Sequence, residues 1–221
     1  MRTSNYIVAA FLVVAAGITV GMFITAKCHT EKPLNTQSYA LPPFSVVVAE
    51  SGARFTIKQD KEDTWVVSYK EREAVPEGGY RIEGDTLYVH AGPSMYGQTL
   101  HVSNLPLIVA LEESEVSIKD VHSGDLFIEV DRAKMSIDNY GLEAQEGILN
   151  IWIVATDASV QLSGFQADSI RITSDNSKIM MYGGLVEVME AQLLNNSTLR
   201  APTVVSKLIM DKDDSSKFTT Y

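Results

Sequence analysis

Beyond Lys27 the chain alternates apolar and polar side chains with a period of two. Between Phe44 and Leu111 the apolar members are Val46 and Val48, Phe55 and Ile57, Trp65 and Val67, Tyr80 and Ile82, Leu87 and Val89, Leu100 and Val102. Ser51-Gly52, Asp60 to Asp63, Pro76 to Gly79, Glu83-Gly84-Asp85 and Gly92-Pro93 separate these runs. Successive side chains of a strand face opposite sides, so short runs of this period broken by turn formers predict β-strands. No segment beyond Lys27 carries a helical stripe, and the body is expected to be nearly all β.

From Ser114 onward the alternation becomes a repeated phrase: small, polar, apolar, polar, apolar. Its central apolar residues are Val116, Met135, Val160, Ile179, Leu199 and Phe218, at intervals of 19, 25, 19, 20 and 19. The small residue two places earlier is Ser114, Ala133, Ala158, Ser177, Ser197 or Ser216. The intervening positions, such as Glu115, Lys134, Lys178 and Lys217, are polar and should face water. Asp120, Asn139, Gly164 and Gly183 lie four places past the centre, and these residue types tolerate the positive φ of a corner. Leu126-Ile128-Val130, Ile151-Ile153 and Ile170-Ile172 supply return strands.

Self-similarity at a period of about 20 is the signature of stacked units, each burying its apolar edge on the next. The expected architecture is a single-stranded parallel β-helix or β-solenoid over residues 44–221, with first strands at 44–111 and repeat rungs at 112–221. The six central apolar residues should stand in one column. Asn176 and Asn196, which precede consecutive phrases, should stack as a structural amide ladder. The one long interval, between Met135 and Val160, fits a loop insertion at Asn139 to Gly147. An antiparallel sandwich with evenly spaced strands is the alternative, but nothing in a sandwich keeps one phrase in step six times.

The amino terminus differs. Tyr6 to Ala26 holds 21 residues without a charge, about 31 Å as a helix, which matches a hydrocarbon core of about 30 Å. It is expected to be an uncleaved transmembrane signal anchor behind a short head at 1–5; a cleaved signal peptide is the competing reading. Residues 27–43 turn polar and contain Pro33, Pro42 and Pro43, as a linker would. The body then lies outside the cytoplasm, periplasmic or at the cell surface, with the membrane as a partner through 6–26.

Charge narrows the partners. The chain has 28 acidic and 18 basic residues, a balance that repels phosphate backbones and argues against nucleic acid. The lone Cys28 cannot form an internal bridge, and His29, His90, His101 and His122 show no metal-ligand spacing. Asp211, Asp213 and Asp214 form the densest acidic cluster and are candidates for a cation such as calcium, although a solvated cap serves equally. The outward positions of the phrase offer one carboxylate, Glu115, and so no acid–base pair. No catalysis and no cofactor are expected.

One resemblance covers about residues 44 to 220. The Phe44-Ser-Val-Val-Val48 strand, Arg54 to Lys58, Gly84-Asp85-Thr86-Leu87-Tyr88-Val89, Val102-Ser-Asn-Leu-Pro-Leu-Ile108 and the Ser-x-apolar turns resemble, in that order, the autotransporter adhesin head GIN domain family of bacterial envelope proteins. The chain departs from that family by placing a bulky polar residue after the small one. The resemblance implies a β-helical envelope domain, common among Bacteroides-like bacteria, without established activity. In that setting Asp85-Thr86-Leu87 and Asp168-Ser169-Ile170 resemble O-glycosylation tripeptides. The expected function is a membrane-tethered interaction or structural module, adhesin-like, touching glycans, envelope proteins or further copies of itself. A carbohydrate-active β-helix enzyme and an accessory component of an envelope-stress system are the alternatives.

Overall fold

The computed structural model describes residues 35–69, 79–90, 97–121, 124–138, 148–202 and 206–220. The expected anchor 6–26, its head, Cys28, His29, His122 and the loop Asn139 to Gly147 lie outside the described residues. Among the described residues no helix is long and apolar enough to cross a membrane.

The structure is all β. In chain order the strands are β1 (Asn35–Ala40), β2 (Val46–Ala49), β3 (Arg54–Gln59), β4 (Thr64–Tyr69), β5 (Tyr80–Glu83), β6 (Thr86–Val89), β7 (Gly97–Val102), β8 (Leu107–Leu111) and β9 (Glu115–Lys119). They continue as β10 (Gly124–Asp131), β11 (Lys134–Asp138), β12 (Ile148–Thr156), β13 (Ser159–Asp175), β14 (Lys178–Leu194), β15 (Thr198–Ala201), β16 (Lys207–Lys212) and β17 (Lys217–Thr220).

Hydrogen bonding arranges them in two long parallel ladders. The first runs β6, β2, β8, β10, β12, β13, β14, β16. The second runs β7, β3, β9, β11, β13, β14, β15, β17. β13 and β14 belong to both because each is 17 residues long and bends. Where the sequence predicts a turn between two short strands, the chain instead rounds the corner through Gly164 (φ 59°) and Gly183 (φ 64°) without leaving the ladder.

Register follows from which alternate positions are apolar, since a slip of one residue would turn the whole apolar set outward. In the first ladder Ile108, Ile128, Ile153 and Ile172 are paired in sequence and fully or almost fully buried. The phase of β2 differs from the expectation: Val47 and Ala49 are buried, and Val46 and Val48 are not. Three consecutive valines carry no phase, and the small Ala49 that fixes it is a weak apolar signal. Asn35–Ala40, expected within the polar linker, is a strand paired antiparallel with β4. Its polar composition suits an exposed edge.

One end of the core is covered. β4 pairs antiparallel with β7, β1 with β4, and β5 with β6. Trp65 of β4 is 1% exposed, and its ring packs against Phe55 (5.8 Å between centroids) and Tyr80 (5.7 Å). Antiparallel strands here shield the apolar interior as a terminal cap does in a repeat protein.

Candidate functional site

The phrase itself builds the interior. Phe55, Val116, Met135, Val160, Ile179, Leu199 and Phe218 are successive Cα partners across the second ladder. The first six are buried and Phe218 is partly so. The structure thus extends the file by one turn, to Ala53-Arg54-Phe55-Thr56-Ile57, which has the same small-polar-apolar order. Alternation alone reveals that segment as a strand; its distance along the chain from Val116, several strands long, hides it as a repeat.

The small residues form a buried polar spine. Ser177 Oγ accepts from the Ala158 N–H (2.9 Å) and donates to the Asp175 carbonyl (2.8 Å). Ser197 Oγ accepts from the Ser177 N–H (3.3 Å) and from Ser174 Oγ (3.0 Å), and donates to the Leu194 carbonyl (2.6 Å). Ser216 Oγ accepts from the Ser197 N–H (3.1 Å). Each hydroxyl therefore satisfies a buried backbone donor of the previous turn, which would otherwise lose its water without replacement.

The acidic cluster terminates this spine. Asp213 Oδ1 accepts from the Ser215 N–H (3.1 Å), the Ser215 hydroxyl (2.8 Å) and the Ser216 N–H (2.8 Å), while Oδ2 accepts from the Asn195 N–H (2.6 Å). Hydrogen bonds from Ser216, then Asn195 and Ser215, hold its carboxyl down to about 2. Asp211 lies on β16 and Asp214 in the exposed turn, and among the described residues no three His, Cys, Asp or Glu side chains are grouped as metal ligands.

The asparagines stand at left-handed corners. Asn176, Asn195 and Asn196 have φ of 45°, 51° and 66°. The Asn176 side-chain amide donates to Asp157 Oδ1, and that of Asn195 donates to Asp175 Oδ1 (2.7 Å). The Asn196 N–H is held by Ser215 Oγ (2.9 Å). Asn195, rather than Asn196, is the residue equivalent to Asn176: the N–H of Asp157 meets the Asp175 carbonyl, and that of Asn176 meets the Leu194 carbonyl.

An open groove of about 470 Å³ follows the same corners, lined by Arg54, Glu113, Glu115, Arg132, Lys134 and Asp157 among others. Within it Arg54 lies 3.6 Å from Glu115, and Arg132 reaches beyond the lining to Glu112 at 2.7 Å. General acid chemistry calls for a carboxyl held high. Asp60, Asp85 and Asp213 are all held low, Asp60 first by the Lys61 N–H and then by His101, and Asp85 first by the Ser45 hydroxyl.

The outward side of the first ladder carries a different chemistry. Phe127 and Trp152 are cross-strand partners whose rings stack 4.3 Å apart at an angle of 4°. Phe127 is 43% exposed and the neighbouring Val154 46%, with Leu107 also exposed on this side. Beside the rings runs a polar file: Ser169 Oγ donates to Asn150 Oδ1 (2.6 Å), and Asn150 Nδ2 donates to Asp125 Oδ1 (2.7 Å). On the far side of Trp152 comes Arg171, paired with Glu190 at 2.7 Å. Sequence reasoning does not single out Phe127 and Trp152, yet the signal exists. Their spacing along the chain equals that of Met135 and Val160, and each sits between inward-facing isoleucines or leucines.

No protein-family model matches the chain, and no curated protein matches it in sequence. Solved structures do resemble it. A candidate adhesin from Bacteroides fragilis aligns with a TM-score of 0.52 at 10% identity, covering 86% of this chain and 98% of that one. A candidate adhesin from Parabacteroides merdae gives 0.46 at 9% identity, covering 86% and 97%. A candidate lipid-binding protein from Parabacteroides distasonis gives 0.46 at 10% identity, covering 86% and 98%. The chain is similar in fold to the first of these Bacteroidales proteins over nearly the whole of that protein's length.

Proposed function

We propose that the two ladders are faces of a parallel β-helix, held to a membrane by residues 6–26, outside the cytoplasm, and that the module is a non-catalytic, adhesin-like binder of carbohydrate. The GIN-type order of elements and the adhesin designation of the Bacteroides fragilis structure support this reading. The observation that carries it is the Phe127 and Trp152 stack, with Phe127 exposed and Trp152 half-buried, beside Asp125, Asn150 and Ser169.

Saccharides present apolar C–H faces next to hydroxyls. An aromatic surface with carboxylate, carboxamide and hydroxyl groups alongside offers a partner for each. Because these side chains are fixed by cross-strand packing and hydrogen bonds, binding loses little rotamer freedom. The acidic surface selects against nucleic acid and anionic headgroups, and leaves uncharged or basic sugars unopposed.

Full-length protein in detergent micelles, applied to an array of envelope and host glycans, should retain a defined subset. Trp152→Ser and Phe127→Ser should each lower that retention about tenfold, a loss of about 1.4 kcal/mol, with Tyr182→Ser unchanged. Retention that survives both substitutions, or cleavage of a glycan by the wild type, contradicts the reading. A protease added outside intact cells or spheroplasts should digest the body, and protection in both would place it in the cytoplasm.

A further inference from the structure

The two ends of the ladders are finished differently, and the difference is informative. Where β4 and β5 cover one end, β16 pairs only with β14, and β17 only with β15, among the described residues. Leu208 shows what this leaves open. It is the cross-strand partner of Met189, which is fully buried, in an inward file with Ile170 and Ile151. Leu208 itself is 43% exposed, and Met210 and Phe218 of the same last turn are only partly buried.

Edge strands that must stay single are blunted by a proline, a bulge or an inward-pointing charge. β16 reads Lys207-Leu208-Ile209-Met210-Asp211-Lys212 and has no proline and no bulge. Its one inward-register charge, Lys212 opposite the buried Leu193 at the end of the strand, turns its ammonium back to the carbonyls of Asp213 (3.3 Å) and Ser216 (3.4 Å). The inward positions before Lys212 are Leu208 and Met210. Lys207 and Asp211 stand on the outward side, where Lys207 follows Val188, Ile209 follows Glu190 and Asp211 follows Gln192.

We propose that β16 is a self-association edge, which pairs antiparallel with β16 of a second copy about a twofold axis through Ile209. That register is the one in which the strand is complementary to itself. Lys207 meets the partner subunit's Asp211, and Asp211 meets the partner subunit's Lys207. Leu208 meets the partner subunit's Met210 on the inward side, so two open cores close on each other. Opposite charges directly across an antiparallel pair stabilise it, and the interface is isologous, as a closed dimer requires. A twofold pairing uses the same edge on both copies, so association through β16 stops at two. The proposal uses the register of the last turn alone and does not depend on the carbohydrate reading.

The test uses full-length chain carrying Cys28→Ser in detergent micelles. Residues opposite each other across an antiparallel pair have Cα atoms about 4.5 to 5.5 Å apart, within disulfide reach. Ile209→Cys should therefore cross-link to a dimer under mild oxidation, whereas Thr173→Cys, outward on an interior strand, should not. By sedimentation, Lys207→Glu should weaken dimerisation about tenfold, and adding Asp211→Lys should restore it, because the swap recreates both pairs. Equal cross-linking by Thr173→Cys, a monomeric wild type, or failure of the double swap to restore the dimer would overturn the proposal. Loss of glycan retention with the dimer intact would instead count against the carbohydrate reading.

Discussion

Serine occupies the small position of the phrase in four of six repeats, and its value differs from place to place. Ser197 Oγ joins Ser174, Ser177 and Leu194, so Ser197→Ala strands buried donors and should cost about 2 kcal/mol in urea unfolding. Ser114 Oγ is buried without a hydrogen-bond partner among the described residues, and Ser114→Ala should be neutral or stabilise by up to about 1 kcal/mol. Equal losses from the two would show that the spine carries no special weight. Asp213 adds a pH dependence. Its carboxyl is held at about 2 against an ordinary 3.8, so it stabilises the last turn above about pH 4, and that contribution disappears as the pH falls through about 2. Amide exchange at Asn195, Ser215 and Ser216 should accelerate over this window, and Asp213→Asn should remove the pH dependence. The sequence displays the small-residue file plainly, because a recurrent Ser or Ala is visible without coordinates. It does not display that Asp213 caps the file, because three nearby acids look the same whether they bind a cation or their own backbone.

At the scale of elements, alternation locates most strands, and burial confirms the phase at Phe55, Trp65, Leu87 and Leu100. It fails where composition is uniform, as in Val46 to Val48, and where a strand is polar on both faces, as in β1. It also underestimates length at β13 and β14, since a glycine that allows a corner need not end a strand. The two glycines of β14 separate these roles. At Gly183 a Cβ would meet open space, with φ of 64°, so Gly183→Ala should cost about 1 kcal/mol, the price of left-handed backbone. At Gly184, with φ of 117°, a Cβ would lie 2.4 Å from the Phe165 carbonyl oxygen and 3.0 Å from its ring. Gly184→Ala should cost about 3 kcal/mol or more, because the neighbouring strand must move. Thermal unfolding of the pair tests this, and similar melting temperatures would contradict the close approach of β13 and β14.

For the whole molecule, everything proposed about function follows from parallel strands stacked in register. Stacking sets Phe127 on Trp152, aligns Asp125, Asn150 and Ser169 beside them, and leaves β16 with one unpaired side among the described residues. Periodicity makes the stack legible in the sequence; the outer face is less so, because side chains that touch across turns lie a whole repeat apart in the chain and conform to no short motif. The stack is measurable directly. Glu115, Lys134, Ser159, Lys178, Thr198 and Lys217 are consecutive outward partners in the second ladder. Spin labels at Glu115 paired with Lys178, Thr198 or Lys217, in Cys28→Ser chain diluted with unlabelled protein, should give backbone separations near 14, 19 and 24 Å, rising by about 4.8 Å for each turn crossed. Separations that do not rise in that order, as strands distributed over an antiparallel sandwich would give, would contradict the account.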